Sequence, residues 1–393
     1  MRLLVEKAGP EYIIGGGSDS VPLHLINYLK PKISEIDLLG GLSKWTEIGP
    51  PEQGYTYTKI NNNETKTFWS IDEIREYLFS RNPDIIHSHT PGYKLDEYNK
   101  ELDKPYIYTE HSMSWIDEDN YLFDDADLIT TVTNYAAEEI VKKNPKKYGK
   151  KLLIVPNSTH FTNYRNNPTV INLSENLKKY YAPNNEKIVL TVARLQEDKG
   201  VFELSEAITE LIEEGENIKF VYTGIVPDED SKERMLNIFR SKNMDGKVVF
   251  NGKIPEGNEE YMAALYKCAD IFALPSDGTF ENFPVSLLEA LSMETPSVIG
   301  NQGGPKEVFV DQGLAVGVVP RDVHSIKRGI EFIFNNYEQE KERVILSSRI
   351  IEKYYHTDFI TDIWTKIYEK LINDKQTVLE SCPFKEVDKW LME

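Results

Sequence analysis

The most constraining feature of the sequence is an alternation that runs nearly from end to end. Short runs rich in Ile, Val and Leu are separated by amphipathic stretches of helical period. In the first part the runs Leu3–Val5, Ile36–Leu39, Asp84–His87, Tyr106–Thr109, Leu128–Val132 and Leu152–Val155 predict strands, with helices over Val21–Leu29, Ile71–Phe79 and Tyr135–Lys143. In the second part strands are predicted at Ile188–Val192, Phe220–Thr223, Val248–Phe250, Ile271–Leu274 and Ser297–Ile299. Helical patterns at Phe202–Glu214, Ser231–Lys242, Asn258–Tyr266, Val285–Met293 and Val323–Phe334 lie between them. Aliphatic strands joined through helices form parallel sheets covered on both faces.

The pattern restarts after Thr159–Asn185, a polar, Asn-rich stretch that predicts a linker. The expected fold is therefore α/β, with two doubly wound Rossmann-like domains facing a central cleft. One spans residues 1–165 and is joined by a C-terminal helix in about 353–393; the other spans 186–352. The helical pattern Ile350–Ile372 carries Trp364 and Tyr368, which are expected to pack it onto the N-terminal domain. Doubly wound domains bind ligands at the carboxyl ends of their strands, and two facing crevices make one deep pocket.

Composition narrows the partners. A length of 393 residues suits two domains. The 45 basic residues against 64 acidic ones give a net charge of −19, which repels phosphate backbones and disfavours nucleic acid. An apolar share of 40%, with 22 Tyr and 16 Phe, is too rich for a disordered chain. Two Cys exclude a disulfide scaffold and fit a reducing compartment, and no apolar run reaches membrane-spanning length. A cytoplasmic protein is expected. One segment runs against the acidic balance, with six lysines within Lys142–Lys151. It would support peripheral contact with the inner face of an anionic membrane. A solvated helix end accounts for it equally simply and is the favoured reading.

Two elements carry chemistry. In Ala269–Ser276 a buried strand ends at Pro275, a loop with Glu281, Asn282 and Phe283 follows, and a helix opens near Pro284 with Glu289 inside it. Proline suits a first helical turn, and the free N–H groups there suit a phosphate or sugar oxygen. Two acceptor-only carboxylates eight residues apart can hold hydroxyls on two parts of one ligand. The second element places Arg194 at a strand end and Lys199 beside the start of a helix, an arrangement suited to a diphosphate.

These elements resemble family 4 retaining glycosyltransferases of the GT-B fold. The family's Glu-x7-Glu element is matched by Glu281 and Glu289, and its Arg-plus-Lys pair by Arg194 and Lys199. Its N-terminal glycine loop is matched by Gly15, Gly16 and Gly17, and its strand-end His pattern by Asp84-Ile85-Ile86-His87-Ser88-His89, with a later His at Thr109-Glu110-His111. Val155-Pro156-Asn157, Val249–Gly252 and Gly303-Gly304-Pro305-Lys306-Glu307 are secondary matches.

The resemblance implies transfer of a hexosyl group from a UDP- or GDP-linked sugar to a carbohydrate or small-molecule acceptor. The reaction would be metal-independent, retain anomeric configuration and use no cofactor beyond the nucleotide-sugar co-substrate. By the same resemblance Glu281 contacts donor-sugar hydroxyls and Glu289 the ribose. Arg194 and Lys199 offset charge on the leaving diphosphate, and His111 lies against the sugar's primary alcohol. Gly16 and Gly17 let backbone approach the phosphates or the acceptor. Asn282, Phe283 and Gly224 belong to the donor side.

The chain departs from the family pattern at Glu281-Asn282-Phe283-Pro284, where Glu-Gly-Phe-Gly is common, and at Pro156-Asn157-Ser158, where Pro-Asn-Gly is usual. These changes bear on donor identity. His87 reads as structural, and His89 as cleft-lining or structural. Asp117-Glu118-Asp119 and Asp228-Glu229-Asp230 mimic a metal signature, but solvated loops are expected in so acidic a chain. The alternatives are a related GT-B activity (sugar-nucleotide epimerisation or transfer to a nucleic acid base) and a catalytically silent sugar-nucleotide-binding module. No motif for a lysine-bound pyridoxal cofactor is present.

Overall fold

In the computed structural model the aliphatic runs of the first part form strands β1 (Arg2–Lys7), β2 (Glu35–Lys44), β5 (Ile85–Ser88), β6 (Tyr106–Glu110), β7 (Leu128–Thr131) and β8 (Leu152–Ile154). With β3 (Glu52–Lys59) and β4 (Glu64–Phe68) they make an eight-stranded sheet of order β4-β3-β2-β1-β5-β6-β7-β8. Pairing is parallel from β2 to β8 and antiparallel at β3 and β4. The structure describes residues 1–7, 17–44, 52–62, 64–68, 71–89, 95–112, 120–255, 257–279 and 281–373.

Strands β3 and β4 escape a reading based on aliphatic runs. Their sequences, Glu-Gln-Gly-Tyr-Thr-Tyr-Thr-Lys and Glu-Thr-Lys-Thr-Phe, are polar, and β4 at the sheet edge is exposed up to a half-buried Phe68. Edge strands keep polar and charged side chains because one side of the ladder meets water.

The second sheet has six parallel strands in the order β11-β10-β9-β12-β13-β14. They are β9 (Lys187–Val192), β10 (Ile218–Thr223), β11 (Val248–Gly252), β12 (Ile271–Leu274), β13 (Ser297–Gly300) and β14 (Val316–Val318). The inner strands are buried along their length, as expected for a sheet with helices on both faces. The chain order jumps from β9 to β12 across the sheet, and that switch point is where such folds take ligands.

The chain divides into two units, Met1–Asn157 with the C-terminal segment from Thr357, and Ser158–His356. The expected linker Thr159–Asn185 is corrected by the structure. Most of it is the helix Pro168–Tyr181, capped by Asn167, whose side chain accepts from Thr169 N at 2.8 Å. Val170, Ser174, Leu177 and Tyr181 are buried along one face of that helix, which packs on the helix Glu259–Cys268. The Asn content that suggested a loop supplies a cap and an exposed face.

The expected helix Ile350–Ile372 is also corrected: it is two helices, Tyr337–Tyr354 and Thr357–Asn373, interrupted at the boundary between the units. The second helix belongs to the N-terminal unit. Its Ile360, Trp364, Tyr368 and Leu371 share one face and join Leu3, Val5, Ile85 and Ile107 in one core.

Candidate functional site

Two polar clusters, one in each unit, contain most of the site residues expected from the sequence. In the C-terminal unit the chain leaves β9 through Arg194 and makes a short turn at Glu197–Lys199 before the helix Val201–Glu213. Gly200 joins turn to helix in the left-handed conformation, with φ of 65°. A Cβ there would fall 2.4 Å from Pro275 O, so glycine lets the turn meet the loop after β12. Asp277 N donates to Asp198 O at 2.8 Å and ties the same two loops.

This junction brings Lys199 to Glu281. The ammonium Nζ lies 2.9 Å from Glu281 Oε2 and 3.2 Å from Asp198 Oδ2, with both Lys199 and Glu281 largely buried. Burial opposes the charge on Lys199, but the carboxylates of Glu281 and Asp198 outweigh it and hold the lysine pKa above its usual value. Arg194 is exposed and makes no ion pair among the described residues. The cluster thus combines a neutralised lysine, an unengaged guanidinium and the start of a 13-residue helix, a set suited to a polyanion.

Glu289 lies on the helix Val285–Ser292, which Pro284 precedes. Its Oε2 accepts from Tyr266 Oη at 2.8 Å. Burial pushes the Glu289 carboxyl up to about 7, against the opposing pull of the Tyr266 hydrogen bond and with a further push from Glu259. Tyr266 was not foreseen: it lies 23 residues upstream within a helical pattern, where its buried ring reads as core.

Asn282 is buried beneath the Gly303-Gly304 segment, where a Cβ on Gly304 would fall 2.0 Å from Asn282 O. The Phe283 ring packs on Phe309 and Tyr355 at centroid distances of 5.3 and 5.7 Å. That ring serves the core. Gly224 follows β10 with φ of 148°, and a Cβ there would stand 1.8 Å from Ala193 O. The loops after β9 and β10 meet at that point.

The N-terminal cluster lies at the carboxyl ends of β5 and β6. The parallel register pairs His87 with Ile107 and Ser88 with Tyr108, so alternation puts His87, His89, Thr109 and His111 on one face. Both nitrogens of His87 are engaged, Nδ1 with Tyr368 Oη at 2.8 Å and Nε2 with Thr109 Oγ1 at 2.7 Å. Trp364 packs on its ring at 4.5 Å. His87 is therefore a structural residue. His89 Nδ1 meets His111 Nε2 at 2.8 Å, with the two rings 16° from parallel. His89 Nε2 and His111 Nδ1 are buried without a partner. Burial lowers all three histidines, His111 to about 4 and the other two well below the usual range, so all are neutral at pH 7.

The remaining expected features are placed as follows. Gly16 lies outside the described residues, as do Gly15, Asp117, Glu118 and Asp119, while Gly17 opens the helix Gly17–Leu29. Asp228 caps the helix Glu229–Arg240 by accepting from Ser231 N at 2.6 Å, so its triplet is a helix start. Among the described residues no three acidic, His or Cys side chains converge on a metal position.

The Lys142–Lys151 segment is partly neutralised. Lys142 pairs with Glu139 and Lys147 with Asp124, while Lys151 turns inward to donate to Ala126 O at 2.6 Å. Among the described residues no helix is long and apolar enough to cross a membrane.

Comparison with known proteins bears on family and fold. Residues 16–159 match the Glycosyltransferase Family 4 model and residues 173–352 the model for glycosyl transferases group 1. An uncharacterized glycosyltransferase of Methanocaldococcus jannaschii is 27% identical over 186 residues, 47% of this chain and 45% of that protein. A putative teichuronic acid biosynthesis glycosyltransferase of Bacillus subtilis is 25% identical over 237 residues, 58% of this chain and 55% of its own. The chain thus spans about half the length of these curated relatives. Among solved structures, a glycosyltransferase from Rickettsia africae superposes with a TM-score of 0.73 at 17% identity, covering 95% of this chain and 98% of the other. HepE from Anabaena, solved with UDP and glucose, gives 0.74 at 14% identity, covering 94% and 100%. At such identities the superpositions establish the GT-B fold.

Proposed function

Because the chain belongs to the family 4, group 1 glycosyltransferases of the GT-B fold, we propose that it transfers a hexosyl group from a UDP- or GDP-linked sugar with retention of anomeric configuration. The acceptor is a glycan, a lipid-linked sugar or a small molecule. The observation that carries this reading is the Lys199–Glu281 pair at 2.9 Å with Arg194 exposed beside the same turn. It supports a site in which a diphosphate takes over Lys199 and releases Glu281 to accept from sugar hydroxyls.

In the proposed mechanism Arg194 and Lys199 meet the leaving diphosphate, whose charge grows as the glycosidic bond breaks. Stabilising that charge lowers the barrier more than it lowers the ground state. The departing phosphate oxygen removes the acceptor proton on the face it leaves, which accounts for retention. Glu289 takes the ribose hydroxyls; burial raises its pKa, and hydroxyl donors added to that of Tyr266 would favour the ionised carboxylate. His111, neutral and with a free Nδ1, takes the primary alcohol of the sugar. UDP is the first nucleotide to try, since HepE was solved with it.

The test is incubation with UDP- and GDP-hexoses, reading nucleotide release and the anomeric proton of the product by NMR. Product that keeps the donor's configuration supports the reading; inverted product overturns it.

A further inference from the structure

His89 and His111 form a pair whose two outer nitrogens have opposite hydrogen-bonding character. A neutral imidazole carries one N–H and one lone pair. The 2.8 Å contact between His89 Nδ1 and His111 Nε2 consumes one of each. If His89 donates, His111 must carry its own proton on Nδ1, and His89 Nε2 is bare. If His111 donates, the assignments reverse. Both outer nitrogens, His89 Nε2 and His111 Nδ1, are buried without a partner, so either arrangement leaves one N–H unpaired, which is rare in protein interiors. A ligand oxygen can relieve that N–H only where it can approach. His111 is the more accessible residue, half-buried against 4% exposure for His89, so the N–H that a ligand can reach is the one on His111 Nδ1, with the bare nitrogen at His89 Nε2.

From this geometry we infer that His89 is a positioning residue, which holds the ring of His111 and fixes its tautomer so that Nδ1–H is presented to an oxygen of the donor sugar. The inference rests on the role given to His111 above. The surroundings hold His89 in place. Its backbone N–H donates to Glu6 O at 3.1 Å, and its ring lies 4.0 Å from that of His87, which Tyr368 and Thr109 fix in turn. Burial keeps both rings neutral, so neither nitrogen of the contact competes for a second proton. Sequence alone leaves His89 divided between a structural and a cleft-lining role. The contact to His111 supplies a third, indirect one.

The test uses the whole protein with nitrogen-15-labelled histidine. Long-range proton–nitrogen spectra of the wild type should show His111 protonated on Nδ1. In His89→Leu the His111 proton should move to Nε2, the site a free imidazole prefers. Turnover should fall about a hundredfold, as for a small misplacement of a reacting group, with the KM for the nucleotide sugar nearly unchanged. His89→Asn places an amide N–H near the position of Nδ1, and should restore the Nδ1 tautomer and bring turnover to within about tenfold of wild type. An Nε2 proton on wild-type His111, wild-type turnover in His89→Leu, or failure of His89→Asn to rescue would each overturn the inference. If His89→Leu fails to fold, the wild-type spectrum and the Asn variant still decide it. Wild-type turnover in His111→Phe would instead overturn the role of His111, leaving the tautomer assignment to stand or fall on the spectra.

Discussion

Lys199 and Glu281 are 82 positions apart in sequence and 2.9 Å apart in space, each largely buried. The cation expected to meet a diphosphate and the carboxylate expected to meet a sugar neutralise each other. In the proposed function donor binding exchanges these partners, and the two residues should then respond oppositely to substitution.

Glu281→Gln removes the competitor for Lys199 while keeping the shape of the side chain. Binding of a nucleoside diphosphate should hold or tighten, while turnover falls by about 10²–10³, the range for loss of one electrostatic contact in a transition state. Lys199→Met should weaken nucleotide binding and also destabilise the fold, by up to about 3 kcal/mol, because two carboxylates are left beside an apolar side chain. Calorimetric titration of both variants checks the opposition; weakening of binding in both contradicts it.

Stability should carry two opposing pH dependences. The folded-state pKa of Glu289 is raised from an ordinary value near 4.5 to about 7. Its contribution is present below pH 4.5 and is lost as pH rises through 7. The histidines run the other way, with His111 depressed from 6.5 to about 4. Their contribution is present above 6.5 and is lost as pH falls toward 4. Each group changes stability by at most about 1.4 kcal/mol per pH unit. Between pH 4.5 and 7, Glu289→Gln should therefore steepen the rise of stability with pH, and His111→Asn should flatten it. Denaturation curves at three pH values decide this; slopes parallel to wild type contradict it.

Gly224→Ala places a methyl 1.8 Å from Ala193 O at a φ of 148°. The loops after β9 and β10 would have to part, at a cost of about 1–3 kcal/mol. Because Ala193 adjoins Arg194, nucleotide affinity should fall together with melting temperature. A variant that melts lower yet binds nucleotide as well as wild type would separate the two effects and contradict the coupling.

Tyr368→Phe leaves His87 Nδ1 without its 2.8 Å partner in a fully buried place. A lost buried partner costs about 1–3 kcal/mol, which should appear as a lower denaturant midpoint at unchanged m-value. A changed m-value would mean that the C-terminal helix had released from the N-terminal core.

Fold and site were legible to different depths. Aliphatic strands such as Ile271–Leu274 announce themselves because a buried parallel strand must be apolar on both faces. The polar strands Glu52–Lys59 and Glu64–Phe68 do not: the second is the sheet edge, where water meets one side of the ladder, and the first is the strand beside it. The helix Pro168–Tyr181 reads as a linker because its Asn residues favour loops, although the burial of Val170, Ser174, Leu177 and Tyr181 shows the helical spacing. Glu281, Glu289, Arg194 and Lys199 stand out by spacing, whereas their partners Asp198 and Tyr266 do not. The His89–His111 contact was within reach, since period-two alternation on adjacent parallel strands puts both on one face. The nitrogen-to-nitrogen contact itself is fixed by side-chain rotamers, which alternation does not specify.

The most direct measurement is a melting-temperature panel of UDP, GDP, ADP and the corresponding monophosphates on wild type and Lys199→Met. UDP or GDP should stabilise the wild type, by about 2.7 kcal/mol at a hundredfold excess over its dissociation constant. The monophosphates should shift it less, and the effect should shrink in Lys199→Met. A wild-type chain that no nucleoside diphosphate stabilises would contradict the donor site at Lys199 and Glu281.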